Sequence, residues 1–283
     1  MNFNNRTMEN PVIMTIPLKA FTRRRSVKRE YIKILKNEFT IQPVGPEVVL
    51  TDNDIAHLPL PVRKYIYYTG AVGRSKPQNV RITFDAKMIS NPGSEPINAI
   101  SEQYNFFGSF TRLFLMKARK MFIPFQAFHT YRENEATFIV RVANLFNIVD
   151  EKGGELTAAE TVTLLNDMCI FAPGNLYDKR LSWKEIDSLS CQVTLENGKY
   201  KVSAILSFNQ NGELINFVSD DRYVLQNDGT MKRMRWSTPV KDYKEFDGRR
   251  IPTYGETIWN YPDGDFTYGT FRLKNISYNV TYK

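Results

Sequence analysis

The sequence predicts an α+β fold dominated by a large, curved antiparallel sheet, laid out as a meander with a few helices packed on it. Three observations carry this. From Asp187 to Lys283 almost every segment alternates apolar and polar residues, the period-two pattern of strands with one buried face. Asn197-Gly198, Asn211-Gly212, Asp228-Gly229, Asp247-Gly248 and Asp263-Gly264 punctuate that stretch, and such pairs suit tight hairpin turns because they tolerate positive φ. Helical periodicity is limited to a few short segments.

In chain order, residues 1–25 read as an arm. Ser26 to Phe39 reads as a helix with Ser26 at its cap. Val27, Tyr31, Ile34 and Leu35 share one face, while Lys28, Arg29, Lys33 and Lys36 lie mostly elsewhere. A basic amphipathic helix of this kind can lie on an anionic membrane or pack on its own domain with its lysines solvated. Pro43 to Pro46 reads as a linker. The expected organisation is therefore a basic N-terminal arm with an amphipathic helix over 1–44 and a single sheet-dominated domain over 45–283.

Thr51 to Asp54 resembles a helix start. Pro61 suits the first turn of the next helix, which Val62, Tyr65, Ile66 and Tyr68 make apolar and Gly70 ends. Strands are expected from Asn79, then over Ile97 to Phe107, Arg112 to Ala118, Pro124 to Tyr131 and Thr137 to Asn147, with a turn at Asn91-Pro92-Gly93. Thr157-Ala158-Ala159-Glu160 matches a capping box, so a helix should start there, bury Ala158, Val162, Leu165 and Cys169, and stop at Pro173-Gly174. Cys191 to Leu195 and Lys199 to Phe208 then form a hairpin through Asn197-Gly198.

Composition narrows the function classes. With 19 Phe and 15 Tyr in 283 residues, the chain can build a sizeable core. Of the net charge of +8, +6 lies in residues 1–40, leaving the body nearly neutral, which argues against nucleic acid as a partner. Cys169 and Cys191 are expected as two buried free thiols. No apolar stretch reaches the ~20 residues of a spanning helix, and Pro11 to Leu18 is too short and lacks a basic lead for an export signal. A cytoplasmic location, at most peripheral to a membrane, is the expectation.

Metal and cofactor chemistry finds no motif. The two histidines, His57 and His129, do not combine with Cys169 and Cys191 at zinc-ligand spacing. HExxH, CxxC, G-x-S-x-G and Walker patterns are absent from the sequence, and Asp52 with Asp54 lacks the glycine and distal glutamate of a calcium loop. No metal, cofactor or catalytic residue is assigned. His129 reads as a sheet histidine with a hydrogen-bond partner. The enzyme reading that survives is a hydrolase using carboxylates and arginine, with Asp220, Asp221, Glu256 and Arg222 as its candidates.

Leu58-Pro59-Leu60-Pro61-Val62-Arg63-Lys64-Tyr65 with Tyr68-Thr69-Gly70, Arg112-Leu113-Phe114, Thr163-Leu164-Leu165-Asn166-Asp167, Asp221-Arg222-Tyr223, Trp236-Ser237-Thr238-Pro239 and Asp247-Gly248-Arg249-Arg250-Ile251-Pro252 with Trp259 resemble an uncharacterised bacterial domain of unknown function. The resemblance covers roughly residues 45–283. Its overall pattern is similar to half-barrel carriers of lipoproteins and lipids, which implies a curved sheet clasping helices over an apolar cavity. Some members of the resembled family begin with a membrane-spanning segment, where residues 1–40 here form a basic arm.

That architecture makes a binding module for a hydrophobic or amphiphilic ligand the leading expectation, with Arg112, Phe114, Phe125, Arg222, Trp236, Glu256 and Trp259 as candidate ligand-binding residues. Phe106, Phe107, Phe110, Phe114, Met116, Met121, Phe122, Phe125 and Phe128 form a dense run that suits core or cavity lining. Arg222, in strand phase with Val218 and Val224, needs a partner if buried. Asp221 faces the other side, so Glu256 or Asp220 is expected. The alternatives are a structural or interaction protein with a self-filled core, and the hydrolase. Expected partners are an apolar or amphiphilic small molecule and a peripheral membrane contact through the basic arm.

Overall fold

The computed structural model describes residues 26–143, 145–226 and 229–282; the arm over 1–25 and Asp228 of one expected turn lie outside them. Among the described residues, thirteen strands form one sheet: β1 (Asn79–Met88), β2 (Ile97–Phe106), β3 (Thr111–Lys120), β4 (Ile123–Arg132), β5 (Glu135–Val142), β6 (Phe146–Lys152), β7 (Leu181–Asp187), β8 (Ser190–Asn197), β9 (Tyr200–Phe208), β10 (Leu214–Leu225), β11 (Met231–Phe246), β12 (Arg249–Tyr261) and β13 (Gly264–Tyr278). The order runs from β6 back to β1, then from β13 back to β7, with every pair antiparallel. The first and last strands therefore meet in the middle, and β6 and β7 are the edges. Helix α4 (Gly154–Phe171) joins the two edges across the inner face.

Contacts between distant strands establish how strongly the sheet curls. β4 and β8 are nine places apart in the order, which on a flat sheet would be roughly 43 Å. Yet Asn197 at the end of β8 donates to the Tyr131 hydroxyl on β4 at 2.7 Å. The half-barrel is thus nearly closed where the β4–β5 and β8–β9 turns meet. Bulges assist the bend: registers shift between Thr83 and Phe84, Ser219 and Arg222, and Thr257 and Ile258.

The main core fills the trough. Val162, Leu165, Met168 and Cys169 of α4 pack with Val193, Val202, Leu206 and Phe217 of the sheet and with Val62, Tyr65 and Ile66 of α3 (Leu60–Tyr68). Tyr65 anchors that helix by donating to the Cys169 carbonyl at 2.8 Å. The short α2 (Asp52–Ile55) carries the capping box, with Thr51 and Asp54 satisfying each other. Cys169 and Cys191 are buried free thiols.

Helix α1 (Val27–Ile41) covers the outer face instead. Its Val27, Tyr31 and Leu35 bury against Tyr104, Phe106, Leu113, Leu115 and Phe128. Glu38 is also buried there and accepts from Arg132 Nε at 2.6 Å and Thr111 Oγ1 at 3.0 Å. Resting this apolar face on a membrane would require undoing that packing. Ser26 precedes the helix without a side-chain cap bond. Among the described residues, no helix is long and apolar enough to cross a membrane.

Four local expectations are corrected. Thr137 to Asn147 is not one strand: β5 ends at Val142, and Ala143 turns the chain at φ 52° into β6. The final strands begin earlier than Asp187, because β7 starts at Leu181. Helix α4 starts at Gly154 rather than Thr157; the Thr157 hydroxyl donates to the Gly153 carbonyl and accepts from Ala136 N. Glu160 is consequently not a cap partner and is free to turn inward. The aromatic run is also split, since Phe106 and Phe128 lie beneath α1 and Met121 and Phe122 face solvent.

Candidate functional site

One stripe of α4 carries Glu160, Thr163, Asn166 and Asp167 at helical spacing, and would pass for a solvated face. All four residues are buried. Opposite them lies a cavity of about 410 Å³ between α4 and the inner surfaces of β1–β6 and β10–β13. Phe84, Phe114, Met116, Phe138, Ile170 and Trp259 supply much of its apolar wall. Its volume falls within the range of small-molecule pockets, roughly 300–1,000 Å³.

The polar wall is an ion network. Arg112 donates through Nε to Asp167 Oδ2 at 2.6 Å, through Nη1 to Glu160 Oε2 at 3.2 Å and through Nη2 to Gln103 Oε1 at 3.3 Å. Gln103 and Asn105 also donate to Asp167, at 2.7 and 3.2 Å. From the other side, Arg222 Nη1 reaches Glu160 Oε1 at 3.3 Å, the Ala159 carbonyl at 2.8 Å and Thr163 Oγ1 at 2.6 Å. Arg112 on β3 and Arg222 on β10 are six strands apart, roughly 29 Å on a flat sheet. Curvature alone lets both guanidiniums meet one carboxylate.

Burial pushes the Glu160 carboxyl up, but His129, Arg112 and Arg222 outweigh it and hold the group well below the ordinary carboxylate range. Burial also raises Asp167, and Arg112 with Asn105 pulls it back only in part. His129 stacks on Phe138 with ring centroids 3.8 Å apart, its Nδ1 3.4 Å from Glu160 Oε1. Arg222 lies over Trp236, 4.7 Å from guanidinium carbon to ring centre, and 5.7 Å from Trp259. Trp236 donates to the Tyr268 hydroxyl at 3.1 Å, and Tyr268 stacks on Trp259.

Four buried polar atoms in residues lining the cavity make no hydrogen bond among the described residues: Arg222 Nε, Asn166 Nδ2, Thr238 Oγ1 and His129 Nδ1, the last having only its 3.4 Å approach to Glu160. Buried groups of this kind are normally satisfied by protein, water or ligand. The site can therefore enclose apolar matter on one side and offer hydrogen bonds on the other.

Of the residues singled out from sequence, Arg112, Phe114, Arg222, Trp236, Glu256 and Trp259 line this cavity. Phe125 does not; it lines a neighbouring hollow with Lys117 and Arg119. The expected partners of Arg222 are also corrected. Glu256 accepts from the Tyr254 hydroxyl at 2.8 Å, Asp220 is exposed beside Arg235, and the true partner is Glu160. The bulge between Ser219 and Arg222 breaks the phase with Val218 and turns Arg222 inward. Asp221 accepts from Ser203 N at 2.7 Å and pairs with Arg233, so the hydrolase quartet does not converge.

Glu160, Asp167, Gln103 and Asn105 were not singled out from sequence as site residues, although Glu160 stood in the supposed capping box and Asp167 in a motif of the resembled family. The available signal was the polar stripe interrupting an otherwise apolar helix. Among the described residues, no group of three or more His, Cys, Asp or Glu could hold a metal ion.

The model of a family of unknown function matches residues 48–271. No curated protein matches the chain. Among solved structures, a DUF1329 family protein from Desulfovibrio piger aligns with TM-score 0.43 and 10% identity, covering 83% of this chain and 96% of that one. A LolA superfamily protein from Nitrosomonas europaea aligns with TM-score 0.40 and 7% identity, covering 78% and 94%.

Proposed function

The chain belongs to DUF6544, a family of unknown function, and from its cavity we propose that it is a binding module for a hydrophobic or amphiphilic ligand. The observation that carries this reading is the division of one cavity of about 410 Å³ into an apolar wall and a wall bearing unpaired hydrogen-bonding atoms. An apolar tail fits the first, and a polar head fits the second. Arg112, Phe114, Arg222, Trp236, Glu256 and Trp259 are the proposed contacts. The charges of Arg112, Arg222, Glu160 and Asp167 balance, so the site favours a head group that takes hydrogen bonds without requiring a full countercharge.

A self-filled core has the nearly all-round burial of α4 in its favour. The space that the protein's own side chains leave beside α4 favours the binding reading over it. The test has two arms. Native mass spectrometry and solvent extraction of the purified protein should reveal a bound amphiphile. Titration of emptied protein with the uncharged fluorescent amphiphile N-phenyl-1-naphthylamine should saturate at one site. A bare protein mass together with no saturable dye binding would overturn the proposal.

A further inference from the structure

The β3–β4 hairpin turns at Met121 and Phe122, with φ of 49° and 68°. A two-residue turn with both φ positive favours Asn-Gly or Asp-Gly, because bulky side chains are strained in the left-handed region. The same chain follows that preference at Asp247-Gly248, with φ of 50° and 70°, and uses Glu133-Asn134, with φ of 51° and 59°. At the β3–β4 turn it places two large apolar side chains instead. They gain nothing from the fold, since Met121 is 84% and Phe122 98% exposed.

The neighbouring β5–β6 turn adds to this tip. Ala143 N donates to the Pro124 carbonyl at 2.8 Å, holding the two hairpins side by side, and Leu145 and Phe146 are exposed there as well as Ile123. Behind the apolar tip stand Lys117, Arg119 and Lys120, and among the described residues none of the three is in an ion pair. No acidic residue occurs between Glu102 and Glu133. We propose that these paired hairpin tips are a docking surface for an anionic lipid membrane, with Met121 and Phe122 inserting among the acyl chains and Lys117, Arg119 and Lys120 meeting the head groups. Apolar tips backed by unpaired cations are the pattern that both layers of such a surface would recognise.

The surface is distinct from the outer face covered by α1. It also lies at the opposite end of β4 from the turn that closes the half-barrel. The paired positions of β3 and β4 lead from it inward: Lys120 opposite Ile123, Ala118 opposite Phe125, and Met116 opposite Ala127 at the cavity. Docking would turn this path toward the bilayer, though the proposal stands whether or not the cavity carries a ligand.

The test is flotation of the full chain with vesicles of phosphatidylglycerol and phosphatidylcholine in equal parts, and with phosphatidylcholine alone. Met121→Asn/Phe122→Gly installs the preferred turn and so should fold at least as well. It is expected to weaken binding to the anionic vesicles about tenfold or more. Arg119→Glu/Lys120→Glu should abolish the preference for anionic vesicles. Binding by the turn variant within about twofold of the parent would overturn the proposal, since the contact would lie elsewhere. No vesicle binding by the parent would do the same, as would self-association of the parent that the turn variant loses. Dye binding in the cavity is a separate readout, so failure of either proposal can be told from failure of the other.

Discussion

Arg112 Nε donates to Asp167 Oδ2 at 2.6 Å with both side chains buried, and so ties the third strand to the second half of the long helix. The same guanidinium reaches Glu160 two turns earlier, which makes Arg112 the link between both acids. A buried pair of this kind adds little net stability by itself, but removing one partner strands the other charge in the interior.

Arg112→Met is therefore expected to destabilise the protein by about 3–5 kcal/mol in urea denaturation. Adding Asp167→Leu should recover much of the loss, because the orphaned carboxylate is then gone. A single-variant loss below about 1 kcal/mol would show that Asp167 is solvated or protonated rather than paired.

Ala127 lines the cavity opposite Met116, near its open end. Ala127→Phe should fill part of that space and weaken saturable binding of the uncharged amphiphile N-phenyl-1-naphthylamine by about tenfold or more. Thermal denaturation should report a folded protein. Undiminished dye binding by a folded variant would place the dye outside this cavity.

The Lys76 ammonium, 2.9 Å from Asp54 Oδ1, and the hydrogen bonds from Thr51 lower the Asp54 carboxyl from 3.8 to about 2. A depressed carboxyl stabilises the fold above its unfolded value, and the contribution disappears as pH falls from 3.8 through about 2. Lys76→Met should raise the Asp54 pKa measured by NMR titration and move that acid loss toward higher pH. An unchanged titration would remove Lys76 as the main cause.

Met121→Asn/Phe122→Gly should raise stability by about 1–2 kcal/mol, because it relieves the left-handed backbone of two bulky residues without removing buried surface. Chemical denaturation measures this directly. A loss of stability would mean that Met121 and Phe122 are packed on the protein rather than displayed.

Much of the sheet was legible because its signals are local. Val202, Ala204, Leu206 and Phe208 alternate inward as their spacing demands, and the Asn197-Gly198 and Asp247-Gly248 turns lie between the strands expected to flank them. The split at Ala143 was missed because its one sequence signal is Asn144, a turn-favouring residue with no Gly or Pro beside it inside an otherwise apolar, strand-like run. The start of the long helix was misread because Thr157 and Glu160 have capping-box spacing, while Thr157 bonds back to the Gly153 carbonyl and across to Ala136, and Glu160 bonds to the distant Arg112.

By itself, the sequence determined the antiparallel class, most strand positions and a body with little net charge, since period-two burial, turn chemistry and composition are properties of neighbouring residues. The tertiary structure decided which polar groups meet. Glu160 lies 48 residues from Arg112 and 62 from Arg222, and nothing local distinguishes a carboxylate facing water from one facing two buried guanidiniums. That choice was made by the curl of the sheet, which accumulates from twist and bulges over many strands and brings β3 and β10 to opposite sides of one helix.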